Sequence, residues 1–261
     1  MRRVLMALGC WWALATGAEA ALIASASVDG GGTIFAIDND LTSTCGSPVV
    51  GPCQLPDIDP TLHRLVVGAH TISGTLLVLP TVQTADVATG AGTVNRLDST
   101  GTQFTNTDAV SHAVSVAISA TDFFGPSTVA FTTGAGQFST LGGGFADTSI
   151  TQRWFNDPAN GQGALTPDAN QPGTLLDTFS FIPTQNPQSF SHTGGPFAVA
   201  DPSLFSMTLQ FDAVVGPGVR LTGREQTEIK PLAEVSLPGT GWLLGLGAAL
   251  LVGARVGRRC R

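Results

Sequence analysis

Apolar and small polar residues alternate along most of this chain with the period of a β-strand. Ala113 to Ser119 (AVSVAIS) shows it in strict turn, which places one set of side chains on each face of a pleated strand. Leu22 to Val28 repeats the pattern, and Thr33 to Ile37 follows a triple-glycine turn as the second arm of a hairpin. Arg64 to Ala69 and Thr75 to Val82 form a second pair around Ser73-Gly74. Ser127 to Thr132 and Gln137 to Leu141 continue the pattern around Gly134 and Gly136. Ser149 to Phe155, Leu175 to Phe181, Ser206 to Val215, Val219 to Thr222 and Gln226 to Lys230 complete it. No segment of the body has the period of a helix. The pattern predicts an all-β domain over 21–233, an antiparallel β-sandwich-like fold. Asp157 to Gly173 and Pro183 to Pro196 are rich in Pro and Gly. They are predicted as long loops, the usual place for binding on a β scaffold.

The two ends break the alternation. Arg2 and Arg3 precede an apolar run, Val4 to Ala15, and then Ala18-Glu19-Ala20. These are the parts of a secretory signal peptide over 1–20, cut by signal peptidase before Ala21. At the other end, 234–261, Val235-Ser236-Leu237-Pro238 leads into an uncharged apolar run and then into Arg255, Arg258, Arg259 and Arg261. Leu237 to Ala254 would span roughly 27 Å as a helix, against a bilayer core of about 30 Å. One C-terminal transmembrane helix is therefore predicted, with the arginines on the cytoplasmic side and the body outside.

Val235, Ser236, Leu237 and Pro238, followed by Trp242-Leu243-Leu244, a Gly/Ala/Leu-rich span and the arginine cluster, resemble a PEP-CTERM tail in its Val-Pro-Leu-Pro variant, with Ser236 where that variant has Pro. The resemblance implies recognition by an exosortase-type processing enzyme, transient anchoring in the inner membrane, removal of the tail, and release to the cell surface or an exopolysaccharide matrix. Leu237-Pro238-Gly239-Thr240-Gly241 is also similar to the LPxTG signal of sortase-anchored surface proteins, which carry a longer spacer than Gly223 to Glu234. Both readings stay open at the level of sequence.

Charge narrows the partners. Six of the 12 basic residues lie in the two ends, whereas 18 of the 19 acidic residues lie in the stretch from Ala21 to Pro238. So acidic a body excludes nucleic acid and anionic membranes as charge-driven partners, and leaves membrane contact to the tail. Cys45 and Cys53 are the two cysteines between the sorting segments. In an oxidising compartment they are expected to form a disulfide.

The candidate chemistry is sparse. Asp38, Asp40, Asp57 and Asp59 flank the Cys45–Cys53 loop, and an oxygen-rich cluster of this kind suits Ca²⁺. The spacing matches no EF-hand loop, and solvated turn aspartates are the plainer reading. Asn156, Asp157, Asn160, Asp168 and Asn170 form a second, weaker patch. There is no G-x-S-x-G elbow, and His63, His70, His112 and His192 show no H-x-H or H-E-x-x-H pairing, so no enzyme is predicted. Sugar sites use exposed aromatic platforms. Between the sorting segments the chain offers Trp154 alone among tryptophans and no tyrosine. The expectation is an exported structural protein of the cell surface or extracellular polysaccharide matrix. The alternative is a carbohydrate- or calcium-dependent binding module.

Overall fold

A computed structural model describes residues 21–231, apart from 48, 73–75, 79–80, 88–93, 126, 143, 168–169 and 202. The signal peptide over 1–20, the sorting motif Val235, Ser236, Leu237 and Pro238 and the predicted helix over 237–254 lie outside the described residues. Among the described residues no helix is long and apolar enough to cross a membrane.

The fold is all-β and builds two antiparallel-rich sheets into a sandwich-like body. The first sheet contains β1 (Leu22–Val28), β2 (Ile34–Ile37), β3 (Cys53–Gln54), β9 (His112–Phe124), β11 (Ser149–Asp157), β12 (Thr174–Phe181) and β14 (Leu204–Val215). Its order is β12-β11-β14-β9-β1-β2-β3. The second sheet contains β4 (Arg64–Val67), β5 (His70–Ile72), β6 (Leu76–Val78), β7 (Thr81–Asp86), β8 (Asn95–Asn106), β10 (Ser127–Thr140), β13 (Gln188–Asp201) and β15 (Val219–Lys230). Its order is β13-β10-β15-β8-β6-β5, with β7 also on β8 and β4 on β7.

The alternation explains the core. Val114, Val116, Ile118 and Ala120 of β9 point inward beside Leu22 and Val28 of β1 and Leu209, Phe211 and Ala213 of β14. The second sheet answers with Leu97, Phe104, Phe138, Leu221 and Ile229. β1 and β2 pair as the predicted hairpin.

Three predicted elements are corrected. Gly134 and Gly136 do not separate two strands. They sit inside β10, which runs unbroken, because the opposite sheet needs the space at Gly134 and the neighbouring strands β13 and β15 need it at Gly136. A Cβ on Gly134 would lie 2.2 Å from Gln152 Oε1 and 3.1 Å from the Trp154 ring, and one on Gly136 would lie 2.4 Å from the Phe190 ring. Val219–Thr222 and Gln226–Lys230 are likewise one strand with an irregularity between Gly223 and Glu225. Arg64–Ala69 and Thr75–Val82 pair at Val66–Val82 and Val67–Thr81, but not as one simple hairpin. The stretch from Arg64 to Asp86 holds four strands, with β4 on β7 and β5 on β6.

Two long strands were not predicted. β8 mixes buried polar residues, Asn95, Ser99, Thr102 and Asn106, with its core residues Leu97 and Phe104, so the apolar alternation is broken. β13 begins inside the stretch Pro183–Pro196 expected to be a loop. It contains Gly194, Gly195 and Pro196, which argue locally against a strand. Among the described residues it is an edge strand paired with β10 alone.

Candidate functional site

The predicted calcium residues do gather beside the disulfide. Cys45 and Cys53 are joined, with their Cα atoms 5.0 Å apart. Asp57, 0% exposed, accepts the backbone N–H of Asn39 at 2.9 Å, of Asp59 at 3.0 Å and of Val66 at 2.9 Å. Asp38 accepts from His63 N at 2.7 Å, and Asp40 from Thr42 N at 2.9 Å. Asp59 accepts from Thr61 N at 2.9 Å and pairs with Arg64 at 2.7 Å. Among the described residues no group of three or more His, Cys, Asp or Glu side chains is arranged to hold a metal ion. The geometry gives these carboxylates a structural role, because they satisfy amides of turns that regular pairing leaves free. Burial, with Asp57 close by, raises the Asp38 carboxyl above its ordinary value, and bonds to Thr42 and Gln54 lower that of Asp40.

The loop after Asp157 is similarly self-contained. Asp157 accepts from Ala159 N at 3.0 Å and Gly161 N at 2.9 Å, and Asn160 exchanges bonds with Asp122. Ser119 and Ser206 tie Gly163 and Gly161 to the outer face of the first sheet, and Ala164 is fully buried there. Asp168 lies outside the described residues. Asn156 is buried at the end of β11, and Asn170 is exposed.

Two groupings were not visible in the sequence. On the side of the sandwich where β12 meets β13, Asp177 Oδ2 accepts from Thr132 Oγ1 at 2.6 Å and meets His192 Nε2 at 2.7 Å. The imidazole stacks on Phe179 at 4.8 Å and lies 5.5 Å from Trp154. Thr132 donates to the carboxylate and not to the imidazole, so this is no nucleophile–base pair. It is a polar bridge between three strands. Phe138, Phe145, Phe179, Phe181 and Phe190 fill the same side with ring-to-ring contacts of 5.2–6.5 Å. Trp154 is 0% exposed and cannot serve as a sugar platform.

The second grouping is central. Glu225 of β15 is buried, and among the described residues neither carboxyl oxygen has a hydrogen-bond partner. Burial raises its pKa to about 8, moderated by the nearby Gln152 amide, which falls short of a formed hydrogen bond, and reinforced by the charge of Asp212. Gln152 Oε1, Trp154 Nε1 and Thr227 Oγ1 are also buried without partners. Glu225 stands opposite Gly134 on one neighbouring strand and Ser99 on the other.

The opposite side of the sandwich is different. There β1 and β2 face β4, β5, β7 and β8 across a cleft of about 70 Å³. Ala24, Ala26 and Ala36 line the first sheet's wall, and Val67, Ile72 and Phe104 the other. Its polar members are mostly bonded among themselves. Gln83 Nε2 donates to Thr81 Oγ1 at 2.6 Å, and the Thr81 and Thr102 hydroxyls lie 3.3 Å apart. The other end of the Gln83 amide has no partner among the described residues. Burial lowers the pKa of His70, which lines the same cleft.

The chain matches no protein-family model and no curated protein. Among solved structures it is similar to the carbohydrate-binding module TmCBM61 in complex with β-1,4-galactotriose, at 8% identity over 50% of this chain and 70% of that one, TM-score 0.32. It is also similar to the family 11 carbohydrate-binding module from Clostridium thermocellum in complex with a mixed-linked tetrasaccharide, at 11% identity over 69% and 96%, TM-score 0.27. The C-terminal CBM6 of LamC from Zobellia galactanivorans gives 11% identity over 56% and 87%, TM-score 0.22. Likeness at this level does not bear on a ligand.

Proposed function

We propose that this chain is an exported, non-enzymatic structural protein of the cell surface or the extracellular polysaccharide matrix. Its first 20 residues direct export. Its tail, 234–261, anchors it transiently in the inner membrane until an exosortase-type enzyme removes the tail. The observation that carries the reading is the Cys45–Cys53 disulfide, closed within the body of the fold, since such bonds belong to oxidising compartments. The acidic body agrees with it. Contact with polysaccharide would run over polar outer faces such as Gln103–Arg220 and Thr151–Ser180, because the one tryptophan of the body is buried.

The test is the C-terminal mass of the protein recovered outside the cell. A free chain ending between Val235 and Gly241 is the expected result. A chain cut after Thr240 and joined to a wall peptide would replace exosortase release with sortase anchoring. An intact tail in the membrane would overturn both routes.

A further inference from the structure

We infer that the cleft between β1–β2 and the β4, β5, β7 and β8 strands is a binding site for an uncharged, short aliphatic group that carries one hydrogen-bond donor. The inference is independent of how the chain is exported. It begins with size. Protein interiors close gaps to near crystal density, and the far side of this sandwich does so with a row of phenylalanines. Here three inward positions, Ala24, Ala26 and Ala36, carry single methyls. The space left, about 70 Å³, is roughly half of the 150 Å³ in which an engineered apolar cavity holds benzene, so it suits about three or four carbons.

The walls select against charge. Val67, Ile72 and Phe104 are buried side chains with no polar atom. His70, the titratable lining residue, has its pKa lowered by burial, which favours its neutral form. Asp57, the buried carboxylate nearby, already holds three backbone N–H groups. An ionised ligand would lose its hydration with no partner to replace it.

Two lining residues carry an unmet polar atom among the described residues, Ser25 at its hydroxyl and Gln83 at its amide, and Gln83 supplies the pure acceptor. Gln83 is 2% exposed, lines the cleft and has one end of its amide unpartnered. A buried amide oxygen without a donor is costly, and a ligand hydroxyl or N–H would satisfy it. A short primary alcohol therefore matches the cleft in length, neutrality and donor.

The test is a methyl NMR titration of the full chain with 1-butanol, with butyrate as the charged counterpart and ethylene glycol as the polar one. Butanol should give saturable shifts at Ala24, Ala26, Ala36 and Ile72, and the other two should not. Ala26→Ile fills the space and should weaken binding at least about tenfold, a change of the size expected when a small ligand loses its pocket. Gln83→Met keeps the volume, removes the acceptor and should weaken butanol several-fold. Absence of a saturable shift, an equal response to butyrate, or unchanged affinity in Ala26→Ile would overturn the inference. Should that variant fail to fold, Ala36→Val is read in the same way.

Discussion

The two open sides of this sandwich are closed by different means. Where β12 meets β13, five phenylalanines, Trp154 and the Thr132–Asp177–His192 bridge fill the gap with rings. Where β1–β2 meet β4–β8, the closure lies at the rim. Asp57 gathers three backbone amides and the disulfide pins a neighbouring loop, while alanines leave the space behind them open. The first side is held by dispersion and burial, which fill volume. The second is held by directional bonds, which fix a frame without filling it. A sandwich can therefore keep an internal opening on one side as long as its edge is held by something other than packing.

Glu225 lies between the two sides, and its titration would disturb both. One crosswise row of the second sheet runs His192, Gly134, Glu225, Ser99, Gln83. Burial holds the carboxyl neutral up to about pH 8 in the folded chain, against an ordinary 4.5. The stability it contributes is full below about pH 4.5 and is lost progressively as pH rises to about 8. At about 1.4 kcal/mol per pH unit, that loss is at most about 5 kcal/mol. Urea denaturation across this range should show the decline, and Glu225→Gln should flatten it and stabilise the protein at pH 8. A wild-type profile with no downward slope would mean that Glu225 is not held neutral.

Next in size is the contrast between the walls. Phe138 is fully buried among Phe145, Phe181 and Phe190. Phe138→Ala should cost about 3–5 kcal/mol. Val67→Ala, facing the cleft, should cost only about 1–2 kcal/mol, because the site is already underpacked on one side. Denaturation midpoints decide it, and equal losses would abolish the distinction between the two sides.

The rim gives the third test. Asp57→Ala leaves three amides without an acceptor and should destabilise by about 2–4 kcal/mol. Calcium should not raise the wild-type Tm, since the carboxylates of this cluster already hold N–H groups. A rise that saturates with Ca²⁺ and disappears in Asp57→Ala would restore the metal reading of Asp38, Asp40, Asp57 and Asp59.

Much of this frame was legible in the sequence, and the limits are physical. β9 and β14 were found because their inward residues are mostly apolar and their outward ones polar or small, and β11 and β12 because Ile150, Trp154, Phe179 and Phe181 keep the period despite Gln152 and Asp177 on the same face. β8 was missed because buried polar residues, Asn95, Ser99, Thr102 and Asn106, are mixed with its core residues Leu97 and Phe104 and break the alternation. The glycines of β10 were read as punctuation when they are clearance for Gln152, Trp154 and Phe190. A glycine between two β-rich runs of matching parity could have signalled this, since a turn would have changed the face. Glu225 sits in phase with the apolar inward residues Leu221 and Ile229, and that phase was the available sign of its burial. The cleft had no sign at all. Alanines at 24, 26 and 36 read as ordinary strand residues, and only pairing across the two sheets sets them around one space.

The smallest predicted effect bears most directly on that space. Ala26 is partly buried, faces the cleft and lies opposite Ile34 on one neighbour and Val116 on the other. Valine is favoured in a strand and adds two methyls where there is room for them. Filling part of a void of about 70 Å³ recovers contacts that its walls now lack, so Ala26→Val should stabilise by up to about 1 kcal/mol. The same substitution at Ala120, inward-facing but 0% exposed and outside the cleft, should destabilise by about 1–3 kcal/mol through overpacking. Opposite signs at two alanines of one sheet face would show that the opening is a property of that side alone. A loss at both would mean the cleft closes in solution, leaving the two sides alike.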